Sequence, residues 1–515
     1  MNSFIRLIVF FCLLIFNFNL KSEILALEND SCRIPFTKNI FDGGKISYKL
    51  DFNNRKYVKN ALASFLKLDS HTSKKKWLKA NFIVSKDGII CSYKSKIRVT
   101  GDLEDHYDFM NSPDKFRTSL FVKLLNDNIN GITAFKIFIP ESRKDNNELI
   151  STLLFSKLNF LSPRTYKIDV SLNGNISKFI FQEDISKEFL EYNNRTEAPI
   201  LEGDERFGLT KSFSLARISN YDWINANNSK LQISIDAISK LNNAYFLTSI
   251  LGETDQGALA KPFNGDLPVH IESLPVNKED QSGLRKIQSF YALSFALKAT
   301  HGLSKDDSRY YYNPVYGRIE PIYYDGVARI LSDFKPTEIS QYVYDGLSNI
   351  KNKIDVLNIE NLYKDFVDIG GDINLEEFLN LFLAIDKNIQ YLLSQPIADR
   401  EIKISDKNKD ITKSISVFID NANDIDLINF NGFDSPNYLI DKCNLSNNKC
   451  IKESLSLENI KLAIGQRLIN EKSKQPMLFY GLSDTSNYKN QNDIFTFQSK
   501  KLDNDSKIFY SSDIK

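Results

Sequence analysis

The stretch HGLSKDDSRYYYNPVYGRIEPIYYDG, residues 301–326, is the part of the sequence that says most about the fold and the candidate site. His301 is one of only four histidines among 515 residues. Two strand-like segments, Arg309 to Tyr312 and Arg318 to Tyr324, flank an Asn-Pro pair and a glycine, which are strong turn signals. The sequence therefore predicts a β-hairpin with an aromatic face.

Carboxylates stand at both ends of this predicted hairpin. Asp306 and Asp307 precede its first strand, and Asp325 follows its second strand. A hairpin would gather them beside His301, where they repel one another unless a cation lies between them. Oxygen ligands suit Mg²⁺ or Mn²⁺, and phosphoryl transfer uses such an arrangement. The alternative is a solvated acidic turn, since most charged loop residues are simply exposed.

The composition is that of an ordinary globular protein of two to four domains. With 66 basic and 65 acidic residues the net charge is +1, which gives no reason to expect nucleic acid or a membrane surface as the main partner. No Walker phosphate loop, zinc-protease HExxH or dinucleotide GxGxxG fingerprint occurs.

Residues 1–26 resemble a secretory signal peptide, because Arg6 precedes an apolar run from Leu7 to about Leu20. We expect an exported protein, periplasmic or secreted, with no stable membrane span after signal removal. An uncleaved membrane anchor is the alternative, although the run is shorter than the ~20 apolar residues of a comfortable span.

Four cysteines remain after the signal segment, and an even number in an exported chain favours disulfides. The short loop between Cys443 and Cys450 makes that pair the expected one, which leaves Cys32 to join Cys91. Four free buried thiols are the alternative if the chain is not exported.

Several segments together resemble the CotH family of spore-coat proteins, atypical protein-kinase-like proteins, and in particular its exported bacterial branch. The similarity covers roughly residues 90–330 in the family's order. It implies a two-lobed ATP-binding fold with Mg²⁺ or Mn²⁺. The segments are KSKIRVTGDLEDHYDF, SLFVKL, FKIFIPESRKDNNEL, LSPRTYKIDVSLNG, FQEDISKEFLE, HGLSKDDSRYYYNP and EPIYYDG.

The resemblance implies roles for residues of the central stretch. Asp325 matches the metal-binding aspartate that precedes a glycine, and His301 and Arg309 match the catalytic loop. Asp307 stands where relatives usually have asparagine. An aspartate can still bind the metal, but its extra negative charge near the phosphates opposes efficient transfer. Asp306 is the neighbouring candidate for metal ligand or base.

The resemblance also implies a nucleotide-binding set in the N-terminal lobe. Lys123 matches a lysine on an apolar strand and is expected to bind phosphate, with Lys136 as its rival. Glu148 would pair with that lysine, Arg143 would face phosphate, and Glu183 matches an acidic position near the lobe junction. For each residue the alternative is a surface ion pair or a strand-edge charge.

The expected fold class is α+β, with a two-lobed atypical protein-kinase-like domain. A small α/β lead-in subdomain at 27–95 precedes the kinase-like domain at 96–398, whose N-lobe covers about 96–200 and whose C-lobe covers about 201–398. Short strands among polar residues predict a β-rich C-terminal domain at 399–515.

The expected function is that of an exported CotH-like atypical kinase that transfers phosphate from ATP to a protein or glycan hydroxyl, for instance in the cell envelope. The alternative is a catalytically weak pseudokinase or envelope scaffold, which the aspartate at position 307 favours. A third interpretation is a carbohydrate-active enzyme that uses a carboxylate pair such as Asp306 and Asp325.

Overall fold

The computed structural model describes most of the chain between residues 46 and 397 and a set of strands between residues 413 and 511. The predicted signal segment and Cys32 lie outside the described residues. The described segments are 46–66, 75–86, 89–101, 103–108, 116–203, 216–220, 280–304, 307–333, 336, 338–397, scattered positions from 223 to 274, and the strands beyond 412.

The described strands of the N-terminal part are β1 (Ile46–Phe52), β2 (Leu78–Lys86), β3 (Ile89–Val99), β4 (Tyr107–Asp108), β5 (Arg117–Thr118), β6 (Leu120–Leu124), β7 (Ala134–Phe138), β8 (Thr165–Leu172) and β9 (Asn175–Glu183). All but the short β4–β5 pair form a closed barrel in the order β1-β2-β3-β6-β7-β9-β8. Parallel pairing of β1 with β8 closes the ring. Alternate side chains point inward, and Phe82, Phe135 and Phe181 pack together in the interior.

This barrel changes the predicted domain boundary. The division expected between residues 95 and 96 falls inside β3, and strands from both sides of it belong to the same ring. The reason is that β3 pairs with β2 along one edge and with β6 along the other. The described part of the lead-in therefore belongs to the barrel and is not a separate subdomain.

The described helices include one that is buried nearly all round. In α2, every residue from Glu148 to Phe155 is buried, including the polar residues Glu148, Ser151 and Thr152. Phe155 stacks on Tyr323 with ring centroids 4.5 Å apart. The helices are α1 (Asn54–Phe65), α2 (Asn146–Lys157), α3 (Lys187–Tyr192), α4 (Gln281–Ala296), α5 (Gln341–Asp355), α6 (Ile359–Asp368) and α7 (Leu375–Leu393).

A four-stranded antiparallel sheet follows the barrel in the chain. Its strands are β10 (Ile200–Gly203), β11 (Ala216–Ile218), β12 (Arg309–Asn313) and β13 (Arg318–Ile322), in the order β11-β10-β12-β13. The predicted hairpin of the central stretch is confirmed as the β12–β13 pair. Its aromatic residues and α4 share one large apolar core with α2 and with the helices α5, α6 and α7.

The α+β class is confirmed, because the described chain contains both helices and strands and almost all of its strand pairs are antiparallel. The closed barrel differs from the clear two-lobed kinase arrangement that the resemblance predicts. Among the described helices, none has both the length and the apolar character needed to cross a membrane.

The C-terminal part contains the strands β14 (Lys413–Asn421), β15 (Asp424–Asn429), β16 (Asn437–Asn444), β17 (Lys449–Ser456), β18 (Leu478–Asp484), β19 (Phe497–Asp503) and β20 (Ser506–Ser511). Five of them form an antiparallel sheet in the order β17-β16-β15-β14-β18, and β19 pairs with β20. Cys443 and Cys450 are backbone partners in the register of β16 and β17. Their disulfide stays a prediction.

Cys91 is buried on β3 and takes part in a disulfide bond. Its predicted partner, Cys32, lies outside the described residues.

Candidate functional site

The candidate site lies at the open end of the β12–β13 hairpin. The register pairs Arg309 with Ile322, so residues just before β12 and just after β13 lie side by side. One ligand atom each of His301, Asp307 and Asp325 lies within 4.8 Å of the other two. The structure thus brings three of the predicted residues together, whereas Asp306 lies outside the described residues.

Local geometry holds the turn that precedes β12. A Cβ atom on Gly302 would overlap the carbonyl oxygen of Tyr324, so this close approach requires glycine. The Ser304 hydroxyl donates to Asp307 Oδ2 at 2.9 Å and accepts from the Asp307 backbone N–H at 3.2 Å. His301 Nε2 lies 3.5 Å from Asp307 Oδ2. Asp307 is therefore held in place on the side that faces His301.

Asp325 lies in an unusual backbone segment. Its φ is +48°, and Val327 has the same φ of +48°. Aspartate tolerates the left-handed region, but a β-branched valine there is strained. Such strain persists only where surrounding structure enforces it, and it concentrates at functional sites. The Asp325 carboxylate forms an ion pair with Arg143, a buried residue at the end of the 3-10 turn Pro140–Arg143.

Three cations surround the ring of Tyr324. Lys136 Nζ on β7 donates to the Tyr324 hydroxyl at 2.7 Å. The guanidinium carbon of Arg309 lies 4.7 Å from the ring centroid, and that of Arg143 lies 5.6 Å from it. Two of the three come from the barrel side and one from β12. Positive charge from both parts of the fold therefore meets beside Asp325.

This cluster changes the acidity of the phenol. Burial alone would raise the pKa of Tyr324, but the charges of Lys136, Arg143 and Arg309 outweigh burial and lower that pKa below its ordinary value of 10.0. Burial would likewise lower the pKa of Lys136, yet Tyr324 and Asp184 raise it. Lys136 is therefore positively charged, and the pocket favours negative charge at the phenol oxygen.

Two acidic residues that the sequence analysis did not single out complete the cluster. Asp184 Oδ1 lies 3.7 Å from Lys136 Nζ, and Glu202 Oε2 lies 3.0 Å from Arg309 Nε. Asp184 directly follows the predicted acidic residue Glu183, which ends β9. Its position at the end of a strand is the sequence feature that could have identified it. Tyr324, also missed, directly precedes Asp325.

Glu148 is fully buried, and its partners are not lysines. It accepts from Gln182 Nε2 and from the Tyr323 hydroxyl, each at 2.9 Å. Burial raises the pKa of its carboxyl against the opposing influence of Arg143. The predicted lysine–glutamate pair is thus replaced by a hydrogen-bond link from α2 to β9 and to the residue after β13.

Two other predicted residues lie away from the His301, Asp307 and Asp325 cluster. Lys123 is exposed on β6, whereas its rival Lys136 reaches the site. Glu183 forms a buried ion pair with Arg164, whose Nε lies 2.8 Å from Oε2. The guanidinium of Arg164 also stacks 4.1 Å above the Tyr192 ring. Glu183 therefore anchors the end of the β8–β9 hairpin.

Chemically, the arrangement can hold a divalent cation and an anion next to each other. Two carboxylates and an imidazole lie close enough to share one cation. Mn²⁺ accepts both oxygen and imidazole ligands, whereas Mg²⁺ prefers oxygen alone. The cations around Tyr324 suit phosphate, which arginine and lysine bind through charge-assisted hydrogen bonds.

No protein-family model matches the chain, and no curated protein sequence matches it significantly.

Proposed function

We propose that this chain is an exported, CotH-like atypical kinase with a divalent metal site at Asp307 and Asp325 and with His301 beside that site as the general base. It would bind ATP with Mn²⁺ or Mg²⁺ and transfer phosphate to a protein or glycan hydroxyl. In this proposal the barrel and the helical part with its four-stranded sheet correspond to the two lobes of a kinase-like fold.

One observation carries the proposal: carboxylates and cations from different parts of the fold converge at one point. Asp307 and Asp325 come from the ends of the β12–β13 hairpin, and Lys136 and Arg143 come from the barrel side. Phosphoryl transfer depends on positioning and on charge stabilisation more than on covalent chemistry. A metal ligand set beside two phosphate-binding cations supplies both requirements.

The chain's own residues would then have distinct roles. Lys136 and Arg143 would bind phosphate oxygens, and Asp307 and Asp325 would hold the metal, which would supply positive charge to offset that of the phosphates. His301 is the nearest base for the acceptor hydroxyl. The acceptor oxygen forms the new bond to the γ-phosphorus, the bond to the bridging oxygen breaks, ADP leaves, and His301 takes the proton.

A specific contact favours the second candidate, a catalytically weak pseudokinase or envelope scaffold. Arg143 is buried and already neutralises Asp325 by an ion pair. Asp307 adds a further negative charge where the resemblance implies asparagine. A metal would have to share Asp325 with Arg143, so binding without efficient turnover is the alternative outcome of the same experiment.

The first test compares the thermal unfolding of wild type and Asp325→Ala with ATP and Mn²⁺ or Mg²⁺. At about a hundred times its dissociation constant, a ligand stabilises the folded state by ~2.7 kcal/mol, which is a readily measured shift. We expect a metal-dependent shift in wild type that the variant lacks. No shift with any nucleotide and metal in wild type would contradict the proposal.

Two further proteins sharpen this test. Asp325→Asn keeps a hydrogen-bond acceptor for Arg143 but weakens metal binding, so it separates loss of metal from loss of folding. Asp386→Asn changes a carboxylate on α7 that pairs with Lys351, and it should retain the wild-type shift. Transfer of labelled γ-phosphate to any acceptor then separates the kinase from the pseudokinase.

A further inference from the structure

The outer wall of the barrel carries a concentrated set of positive charges. We call it the lysine face, and it consists of Lys79 on β2, Lys94, Lys96 and Arg98 on β3, and Lys123 on β6. These residues alternate with the inward-facing core residues of the same strands, so all of them point away from the barrel interior. Lys79, Lys94 and Lys123 are exposed.

Three of these lysines form a row across adjacent strands. Lys79 is the register partner of Lys96, and Lys96 is the register partner of Lys123. Directly opposed like charges on antiparallel strands destabilise a sheet. Within the described part of the chain, no carboxylate lies within 4.0 Å of the ammonium groups of these three lysines. An anion bound across the row would remove this repulsion.

Aromatic rings lie among the cations. Trp77 and Phe121 have ring centroids 5.4 Å apart, and the guanidinium carbon of Arg98 lies 4.9 Å and 5.1 Å from them. The Trp77 side chain is 38% exposed, so part of its ring is open to a ligand. A surface that combines cations with accessible rings suits a ligand with both acidic groups and apolar faces.

The lysine face is continuous with the candidate site. Phe121 is the register partner of Lys136, which contacts Tyr324 next to the metal ligand set. An extended ligand on the face would therefore reach the site at one end.

The ligand class follows from charge and compartment. Cys91, which faces the barrel interior from β3, is disulfide-bonded, and this favours an oxidising, extracytoplasmic environment over one rich in nucleic acid. Sugar rings present apolar C–H faces that stack on aromatic side chains. We propose that the lysine face binds an acidic glycan, a polysaccharide with carboxylates on successive sugars. Binding does not depend on the proposed kinase function, although a role of this glycan as phosphate acceptor does.

The experiment measures binding of an oligogalacturonate to the purified protein by calorimetry at about 0.01 M and about 0.15 M salt, where screening lengths are about 30 Å and 8 Å. The face variant carries Lys79→Glu, Lys96→Glu and Lys123→Glu. A matched control carries Lys59→Glu, Lys364→Glu and Lys387→Glu, three exposed lysines on α1, α6 and α7. Both variants change the net charge equally.

We expect binding that weakens with salt, that falls at least about tenfold in the face variant, and that stays near wild type in the control, because the effect depends on local charge. A milder variant with glutamine at the same three positions should also lose affinity if the glutamate variant does not fold. Asp325→Ala should bind the glycan like wild type. The glycan-binding result can therefore be interpreted even if the kinase proposal fails.

Three outcomes would overturn the proposal. One is wild-type affinity in both face variants, and another is an equal loss in the control variant, which would reduce the effect to net charge. The third is tighter binding of single-stranded DNA of equal length and charge than of the oligogalacturonate, which would assign the face to nucleic acid.

Discussion

Tyr323 and Tyr324 are neighbours in the chain but lie in opposite electrostatic surroundings. Burial and the adjacent carboxylate of Glu148 raise the pKa of Tyr323 well above its ordinary value. Burial also acts on Tyr324, but Lys136 and Arg143 help to lower its pKa. One residue of displacement along an extended segment turns the side chain to the opposite face, from a carboxylate toward a cluster of cations.

This difference predicts the behaviour of Tyr324→Phe. Lys136 loses its 2.7 Å partner, so the free energy of unfolding should fall by about 1 kcal/mol at neutral pH. Because the folded-state pKa of Tyr324 is lowered, its contribution to stability grows as pH rises through that pKa toward the unfolded value of about 10. The loss in Tyr324→Phe should therefore widen over that window in denaturant titrations.

Tyr323→Phe is the matched control. It also removes a hydroxyl, the one that donates to Glu148 at 2.9 Å, but it does not remove the low-pKa phenol. In an ultraviolet titration, wild type and Tyr323→Phe should each show one tyrosine that ionises at a lower pH than the others. Tyr324→Phe should lack this ionisation. The same earliest ionisation in all three proteins would exclude this account of the cation cluster.

At the scale of elements, the lysine row of β2, β3 and β6 costs stability. Lys123→Gln removes one of the opposed charges and leaves the cation–aromatic contact of Lys96 with Trp77 intact. We expect it to stabilise the fold by about 0.2–1 kcal/mol at low salt. The gain should vanish near 1 M salt, where charges are screened beyond about 3 Å.

Lys364→Gln is the comparison, because the charge that it removes has attractive neighbours and not repulsive ones. Lys364 lies one helical turn from both Glu360 and Asp368 on α6, where opposite charges stabilise a helix. Thermal unfolding at two salt concentrations should show a gain for Lys123→Gln and no gain for Lys364→Gln. Destabilisation by Lys123→Gln at low salt would mean that the row is not repulsive.

At the scale of the whole molecule, an ionic link joins the barrel to the turn between α6 and α7. Asp372, in the turn between α6 and α7, lies 2.7 Å from Lys167 Nζ on β8 and 2.9 Å from Lys178 Nζ on β9. Asn146 at the start of α2 donates to it at 3.0 Å. The backbone N–H of Lys167 donates to Ile369 O at 2.8 Å. The turn is thus tied to both the hairpin and α2.

This link predicts a pH-dependent effect of Asp372→Asn. Burial opposes ionisation, but hydrogen bonds from Lys167, Lys178 and Asn146 outweigh it and hold the pKa of Asp372 well below its ordinary value. Its contribution is therefore present above about pH 4 and is lost as pH falls toward the folded-state pKa. Since the group is partly exposed, we expect a loss of only about 1 kcal/mol at neutral pH.

Urea titrations at about pH 7 and about pH 2.5 would check this expectation. The difference between wild type and Asp372→Asn should be smaller at the lower pH, while Asp355→Asn, in an exposed i, i+4 pair with Lys351, should change little at either pH. A difference that is independent of pH would assign the effect to packing.

Local sequence signals account for several of the elements. The apolar periodicity of LEEFLNLFLAIDKNIQYLL matches α7 (Leu375–Leu393), and the Asn173-Gly174 turn, with φ of +48° and +99°, joins β8 to β9. The hairpin at the centre of the chain was predictable because its turn residues and strand residues are contiguous. For the same reason, the sequence predicted that Asp307 and Asp325 lie close together, and the structure places them so.

The sequence by itself thus determined the α+β class, the β12–β13 hairpin and the gathering of His301, Asp307 and Asp325, since each depends on residues near one another in the chain. Only the tertiary structure decided that β1 and β8 close a barrel, that Lys136 reaches the site while Lys123 faces solvent, and that Arg143 pairs with Asp325. Those contacts join distant segments. Their geometry depends on how the barrel wall packs against the β12–β13 hairpin, and strand periodicity, which turns both lysines outward, does not encode that packing.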